Sequence, residues 1–227
     1  MSAPTDDRDL APQYVLPLVV RLERAEPPER TDALEASARA VLTFLADGRT
    51  TDPSGEWHDA VTAWTDGRIR KVVRRARGAE WRRAEALDGL TLRHRTATVR
   101  VFPPVPLDGW PRDLARLQVG GTDFDDAEPP ADPAAGTPVL WLNPALSMTA
   151  GKAMAQTGHA AQLTYAALPA AAREVWADAG FPLAARTASA ARWRELSGSG
   201  LPVVHDAGFT EVAPNSATVV GDHPALR

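Results

Sequence analysis

Two pairs of tryptophans recur in this chain at a single offset. Trp64 and Trp176 end equivalent helix-like segments, Trp81 and Trp193 sit in equivalent later ones, and both pairs are 112 residues apart. Gly89-Leu90 corresponds to Gly200-Leu201, and His94, Val101 and Pro103 to His205, Val212 and Pro214, now 111 apart. Anchors at a nearly constant offset mark an internal repeat, and a repeat of about half the chain limits the fold to two similar units paired within one polypeptide.

The run of elements supports this reading. Gln13 to Leu22 is a continuous apolar stretch of strand length, covered on both faces, with Pro17 suggesting an edge position or a bulge. Thr31 to Leu45 reads as a helix with Thr31 as its cap, Gly48 to Gly55 as a polar loop, and Glu56 to Trp64 as a second helix. Arg68 to Arg75, Gly78 to Ala86 and Leu90 to Phe102 then read as strand, helix and strand, followed by a short helix at Arg112 to Val119. The second half repeats the order, with strands at Pro138 to Leu142, Pro182 to Arg186, Leu201 to His205 and Ala217 to Val220. Its helices are Gly151 to Tyr165, Pro169 to Ala177 and Ala188 to Leu196. The expected fold class is α/β: two similar three-layer halves, each a small mixed β-sheet flanked by helices, forming an intrachain pseudo-dimer. The halves are placed at 13–119 and 138–227. The stretch 120–137, rich in Pro and in Asp123, Asp125, Asp126, Glu128 and Asp132, is a linker.

Composition narrows the chemistry. The chain has no cysteine, so disulfides and thiolate zinc sites are excluded, and the five histidines show no close metal-ligand spacing; no metal and no cofactor is expected. Apolar runs such as Tyr14 to Val20 are far too short to span a membrane, and Met1 to Pro12 is a polar tail without a secretion signal, which suits the cytoplasm. The net charge of -4 argues against a surface coated for nucleic acid, yet Arg68 to Arg83 holds eight basic residues against one acid, Glu80. Arg70, Lys71 and Arg74 within it are candidate phosphate contacts.

Two stretches carry the chemistry. In MTAGKAMAQTGHAA, Lys152, Gln156 and His159 fall at i, i+4 and i+7 on one helical face. In VVHDAGFTEVAPNSATVVGDHP, Asp206 opens a turn and Thr210 follows, bringing a carboxylate and a hydroxyl opposite that helix. On these residues the C-terminal half resembles the type 2 peptidyl-tRNA hydrolases. The family's helix-opening pattern is met by Met148, Gly151, Lys152, Ala155, Gln156, His159 and Ala160, and its late pattern by Asp206, Ala207, Gly208, Thr210, Pro214, Ser216, Thr218, Val219 and Gly221. Ala150 stands where the family has a lysine, Asn215 where it has a glycine, and Leu183 to Arg186 where it carries lysines, so Arg186 is the remaining candidate for that charge. The N-terminal half lacks the helix pattern and has Arg95 to Thr98 where the late turn falls; it reads as a degenerate copy whose basic stretch replaces the lost positive surface.

The resemblance implies a hydrolase that cleaves the ester between a peptide and tRNA, a step of translation quality control. Lys152, Gln156, His159, Asp206 and Thr210 are then the catalytic candidates, with Gly151, Ser216, Arg186, Arg70, Lys71 and Arg74 binding substrate. Asp206 and His159 are both available as general base. Lys152 stabilises the oxyanion or grips a phosphate, helped by free N–H groups near Gly151. The implied partner is tRNA, and a monomer is expected because an intrachain pair replaces the family's dimer. A non-catalytic RNA- or partner-binding module, or an esterase or amidase with a non-tRNA substrate, are the rival readings.

Overall fold

The computed structural model of this chain describes residues 12–206 and 211–227. Residues 1–11 of the expected tail, and Thr210 with the three residues before it, lie outside the described residues.

The protein is built on two mixed sheets of the same design. In the first, β1 (Tyr14–Arg21) runs parallel to β2 (Arg70–Ala76) and antiparallel to β4 (Ala97–Val101), with β3 (Leu90–His94) beyond β4. A short β5 (Val105–Pro106) pairs with the start of β1. In the second, β6 (Val139–Leu142) is parallel to β7 (Ala184–Thr187) and antiparallel to β9 (Ala217–Asp222), with β8 (Val203–His205) outermost. The orders β2-β1-β4-β3 and β7-β6-β9-β8 are the same order, so the two halves share one α/β architecture.

β1 reads as an unbroken apolar run because both its faces are covered. Leu16, Leu18 and Val20 enter the central core, and Val19 faces an outer cluster with Ala76, Trp81 and Phe102. Pro17 corrects the expectation of an edge or bulge, since it sits inside a central strand in unbroken register with Val72. Its carbonyl accepts from the Phe102 N–H at 3.1 Å, and the paired part of β4 stops at Leu18 while β5 takes over at Val15. The nitrogen of Pro17, on the same side as its carbonyl, therefore faces the gap between two partner strands, where a missing donor breaks no ladder.

Helices α1 (Arg30–Ala46) and α6 (Ala150–Ala167) lie against each other between the sheets. α1 packs on β3 and β4 and reaches β7; α6 packs on β6, β8 and β9 and reaches β2. Both helices bury many small residues, among them Ala33, Ser37 and Ala40 in α1 and Ala153, Thr157 and Ala161 in α6. The Ser37 hydroxyl donates to the Met154 carbonyl at 2.9 Å, and that of Thr157 lies 3.2 Å from the Leu34 carbonyl. Helices enclosed on nearly every side need no sharp polar face, which is why Asp32, Glu35 and Gln156 can sit buried in them. Among the described residues, no helix is long and apolar enough to cross a membrane.

The tryptophan pairs hold equivalent posts. Trp64 in α3 (His58–Asp66) and Trp176 in α7 (Ala170–Asp178) each donate the indole N–H, at 2.9 Å, to the carbonyl six residues on, Arg70 and Pro182. Trp81 of α4 (Gly78–Glu85) and Trp193 of α8 (Ala190–Ser197) pack on the outer faces of their sheets. The match of Val101 and Pro103 to Val212 and Pro214 does not hold. The strand that corresponds to β4 is β9, which begins only at Ala217, so Val212 and Pro214 lie in the loop before it. The expected single strand over 90–102 is the hairpin β3–β4, turned by two residues, Arg95 and Thr96, with Arg95 at φ 48°. In the C-terminal half residues 206–216 fill that position.

Two further corrections concern helix ends. The polar stretch after α1 contains one helical turn, α2 (Gly48–Thr51), capped by the Asp47 side chain. Thr31 is not the cap of α1: Glu29 occupies that position without a side-chain bond, and Asp126 instead accepts from the Thr31 N–H at 2.7 Å and its hydroxyl at 2.6 Å. The acidic stretch is thus docked, although it carries no helix or strand over 123–137. Asp123 does the same for α6, accepting from the Ala150 N–H at 3.0 Å. Acids placed at two helix starts complement both macrodipoles.

Glu35, 1% exposed, joins the halves. It accepts from Arg186 of β7 at 2.9 Å and from the Ala185 N–H at 3.2 Å, and lies 2.8 Å from His94 of β3. Burial alone raises a carboxyl, but the hydrogen bonds from His94, Arg186 and Ala185, with the Arg186 charge, outweigh it and hold Glu35 below the ordinary glutamate range. Its stabilisation is therefore complete above the unfolded pKa and is lost as pH falls through the lower folded one. Glu35→Ala, which strands Arg186, is expected to cost about 3–5 kcal/mol in urea unfolding at pH 7. The native chain is expected to lose stability below about pH 4.3, and Glu35→Gln should flatten that loss in urea unfolding followed against pH.

Candidate active site at the start of the central helix

The site is assembled where α6 begins, beside the end of β8. Thr149 caps the helix, its hydroxyl accepting from the Lys152 N–H at 3.3 Å, and the hydroxyl in turn donates to Glu211 at 2.7 Å. The Thr149 N–H also donates to Glu211, at 2.9 Å, so the loop before β9 is clasped to the helix start. Helical spacing carries Lys152 and Gln156 to one face, and Asp206, directly after β8, receives both: the Lys152 ammonium and the Gln156 amide, at 2.6 Å, share its Oδ2. The Asp206 main chain is fixed by the Ser216 carbonyl at 2.9 Å and the Asn215 N–H at 2.7 Å. Asn215 holds φ at 63°, a left-handed conformation that Asn tolerates better than most residues.

Thr218, fully buried on β9, sets the orientation of Gln156. Its hydroxyl donates to Gln156 Oε1 at 2.8 Å, which turns the amide NH2 toward Asp206. The residue order alone does not reveal this link, nor the one from Glu211, because each partner comes from a different element.

The expectation of free N–H groups near Gly151 is overturned. The Ala150 N–H is taken by Asp123, that of Gly151 by the Thr122 carbonyl at 2.8 Å, and those of Lys152 and Ala153 by Thr149. A Cβ on residue 151 would come within 2.9 Å of Thr122, so the glycine serves close approach by the linker. With its first-turn amides satisfied, the helix start offers no ready anion cradle.

The remaining candidates are dispersed. Ser216 contributes through its backbone, and Arg186 is drawn away to Glu35 and the Ala131 carbonyl, 2.7 Å from Nη2. The three candidates from the basic run sit in different settings. Arg74 stacks over Trp110 at 4.3 Å and donates to the Ala115 and Leu117 carbonyls, Arg70 is partly buried, and Lys71 is buried with its ammonium turned inward toward α6. His159 lies one helical repeat beyond Gln156 and meets this Lys71, 3.2 Å from Nδ1 to Nζ. Burial, together with the charges of Lys71 and Lys152, holds the imidazole well below the usual histidine range, so it is neutral at pH 7.

The corresponding corner of the other half has its charges reversed. Asp32, third in α1 as Lys152 is third in α6, meets Arg95, which follows β3 as Asp206 follows β8, at 3.3 Å. Asp32, Glu35 and His94 bring ligand-type atoms within 4.8 Å of one another, a grouping invisible in linear spacing, but the carboxylates are already bonded to Arg95, Thr96 and Arg186. A cavity of about 620 Å³ opens there, lined by these residues and by Asp126 of the linker.

Residues 137–227 match the family model of peptidyl-tRNA hydrolase PTH2. The match takes in α6, the Asp206 loop and β9, and covers well under half of the 227 residues. No curated protein and no solved structure matches the chain. The family is one of hydrolases, and Lys152, Gln156, Asp206 and Thr218 all fall inside the matching segment, whereas Lys71 comes from outside it. Replacing Thr218 by valine keeps the shape and leaves the buried Gln156 carbonyl short of a donor; a loss of about 1–3 kcal/mol is expected in urea unfolding.

Proposed function

We propose that residues 137–227 form an esterase of the peptidyl-tRNA hydrolase type, acting on the ester between a peptide, or an N-blocked amino acid, and tRNA. The observation that carries this reading is the convergence of Lys152 and Gln156 on Asp206 within the segment that matches the hydrolase family. An ester is activated, so water attack needs a proton acceptor and stabilisation of the negative oxygen that forms. The Asp206 carboxylate accepts the proton from water. Lys152, already beside it, stabilises the oxyanion, and Gln156, held by Thr218, orients the reacting groups. The proton passes to the departing ribose oxygen, giving a free acid and an alcohol. Thr210, which lies outside the described residues, is proposed as a further hydrogen-bonding group on the basis of its place in the motif.

The same reading has the N-terminal half as a degenerate duplicate, supported by the shared strand order, the equivalent indole bonds of Trp64 and Trp176 and the reversed Asp32–Arg95 pair. It implies a cytoplasmic protein with tRNA as partner and no need for a second chain. A second reading, an esterase or amidase with a non-tRNA substrate, draws on the occupied amides at the start of α6, which leave fewer donors for phosphate.

The purified protein is expected to release N-blocked amino acid from acyl-tRNA. Lys152→Ala and Asp206→Ala should each lower kcat/KM by about 100-fold or more. Full activity in either variant would remove that residue from the site. Turnover of a small ester, with none of acyl-tRNA, would establish the second reading instead.

A further inference from the structure

Lys71 is the one basic side chain of the Arg68 to Arg83 run that is buried and aimed at the other half. From β2 it reaches α6, where its Nζ donates to Gln162 Oε1 and lies 3.2 Å from His159 Nδ1, with the Ile69 carbonyl just before β2 at 3.4 Å. The ring of Trp64 lies 4.7 Å from the same nitrogen. Two carbonyl oxygens, a ring nitrogen and an aromatic face together offer a partner to each proton of an ammonium group. The contact is built tightly. Gly158, next to His159, has no Cβ, and one placed there would meet Val41 at 3.1 Å and the Lys71 stem at 3.4 Å. The side chain is 7% exposed, and burial lowers its pKa well below the ordinary lysine value. The ring contact and the acceptors oppose that shift.

We propose that Lys71 is a positioning residue for the site on the other half: by donating to Nδ1 it holds His159 as the tautomer protonated at Nε2. This inference rests on the hydrolase reading for its consequence, but not for its geometry. As an ammonium, the state this proposal assigns to it, Lys71 only donates, so Nδ1 accepts and the single proton of a neutral imidazole is left on Nε2. Neither ring nitrogen then has a free lone pair. His159 can give a hydrogen bond and cannot take a proton from water, so the base of the site is Asp206. The charged groups acting on the ring are Lys71 of β2 and Lys152 of α6 itself, and both disfavour a second proton. The N-terminal half thus has a part in the chemistry without contributing a group that touches the ester.

Nitrogen NMR of the imidazole in the native chain tests the tautomer directly. The expected result at pH 7 is a neutral His159 protonated at Nε2. A ring protonated at Nδ1, or a charged ring, would overturn the proposal. In Lys71→Met the preference for one tautomer should be lost and the titration midpoint of His159 should rise toward the ordinary range; an unchanged tautomer and midpoint would show that Lys71 does not set them. If that variant does not fold, the native spectrum alone still decides. Turnover separates the roles of the ring. His159→Gln keeps an N–H donor at the Nε2 position and should retain most of the activity that His159→Leu loses, a loss of about tenfold. Equal losses of about 100-fold or more in both would mark His159 as the base. Absence of turnover in the native chain would count against the hydrolase reading, while the tautomer result stands by itself.

Discussion

The close contact of α1 and α6 is the constraint on which the rest depends. Two helices lie closely side by side between two sheets where small residues face the neighbour, and here Ser37 reaches the Met154 carbonyl, Thr157 the Leu34 carbonyl, and Gly158 leaves room for Val41. That contact uses one side of α6, and the sheets use two others. The polar side chains nearest the helix start, Lys152 and Gln156, turn toward the end of β8 and converge on Asp206, while His159 and Gln162 further along turn to Lys71 of β2.

Each half also reaches into its neighbour with a buried charge. Glu35 of α1 ends at Arg186 and the Ala185 amide of β7, and Lys71 of β2 ends at His159 and Gln162 of α6. The environments differ in their effect. Glu35 meets donors and cations that outweigh its burial, while Lys71 and His159 are both pushed toward neutrality, chiefly by desolvation. One contact is a strong tie between halves; in the other a buried lysine nitrogen is held by two carbonyl oxygens, a ring nitrogen and an aromatic face.

Much of the architecture was legible from local pattern. Apolar periodicity located the strands and long helices, and the paired tryptophans indicated two similar halves because each indole is needed at the same kind of helix-to-strand turn. The errors arose where the decisive partner is distant in sequence. Pro17 sits in a central strand because β4 and β5 leave a gap opposite it. Asp123 and Asp126, read as linker charge, accept from first-turn N–H groups of the two central helices, and Val212 falls in a loop because β9 begins only at Ala217.

Residue order is enough to set Lys152, Gln156 and His159 on one helical face and Asp206 at a strand end, since a spacing of 3.6 residues per turn and a strand end are local properties. How those residues divide depends on the packing of distant elements. Lys152 and Gln156 went to Asp206, His159 went to a lysine 88 residues earlier, and Arg186 went to Glu35. Hydrogen bonds and ion pairs of buried groups are settled by which elements are brought within about 3 Å, and that is fixed by the packing of α1 on α6 and not by any neighbour along the chain.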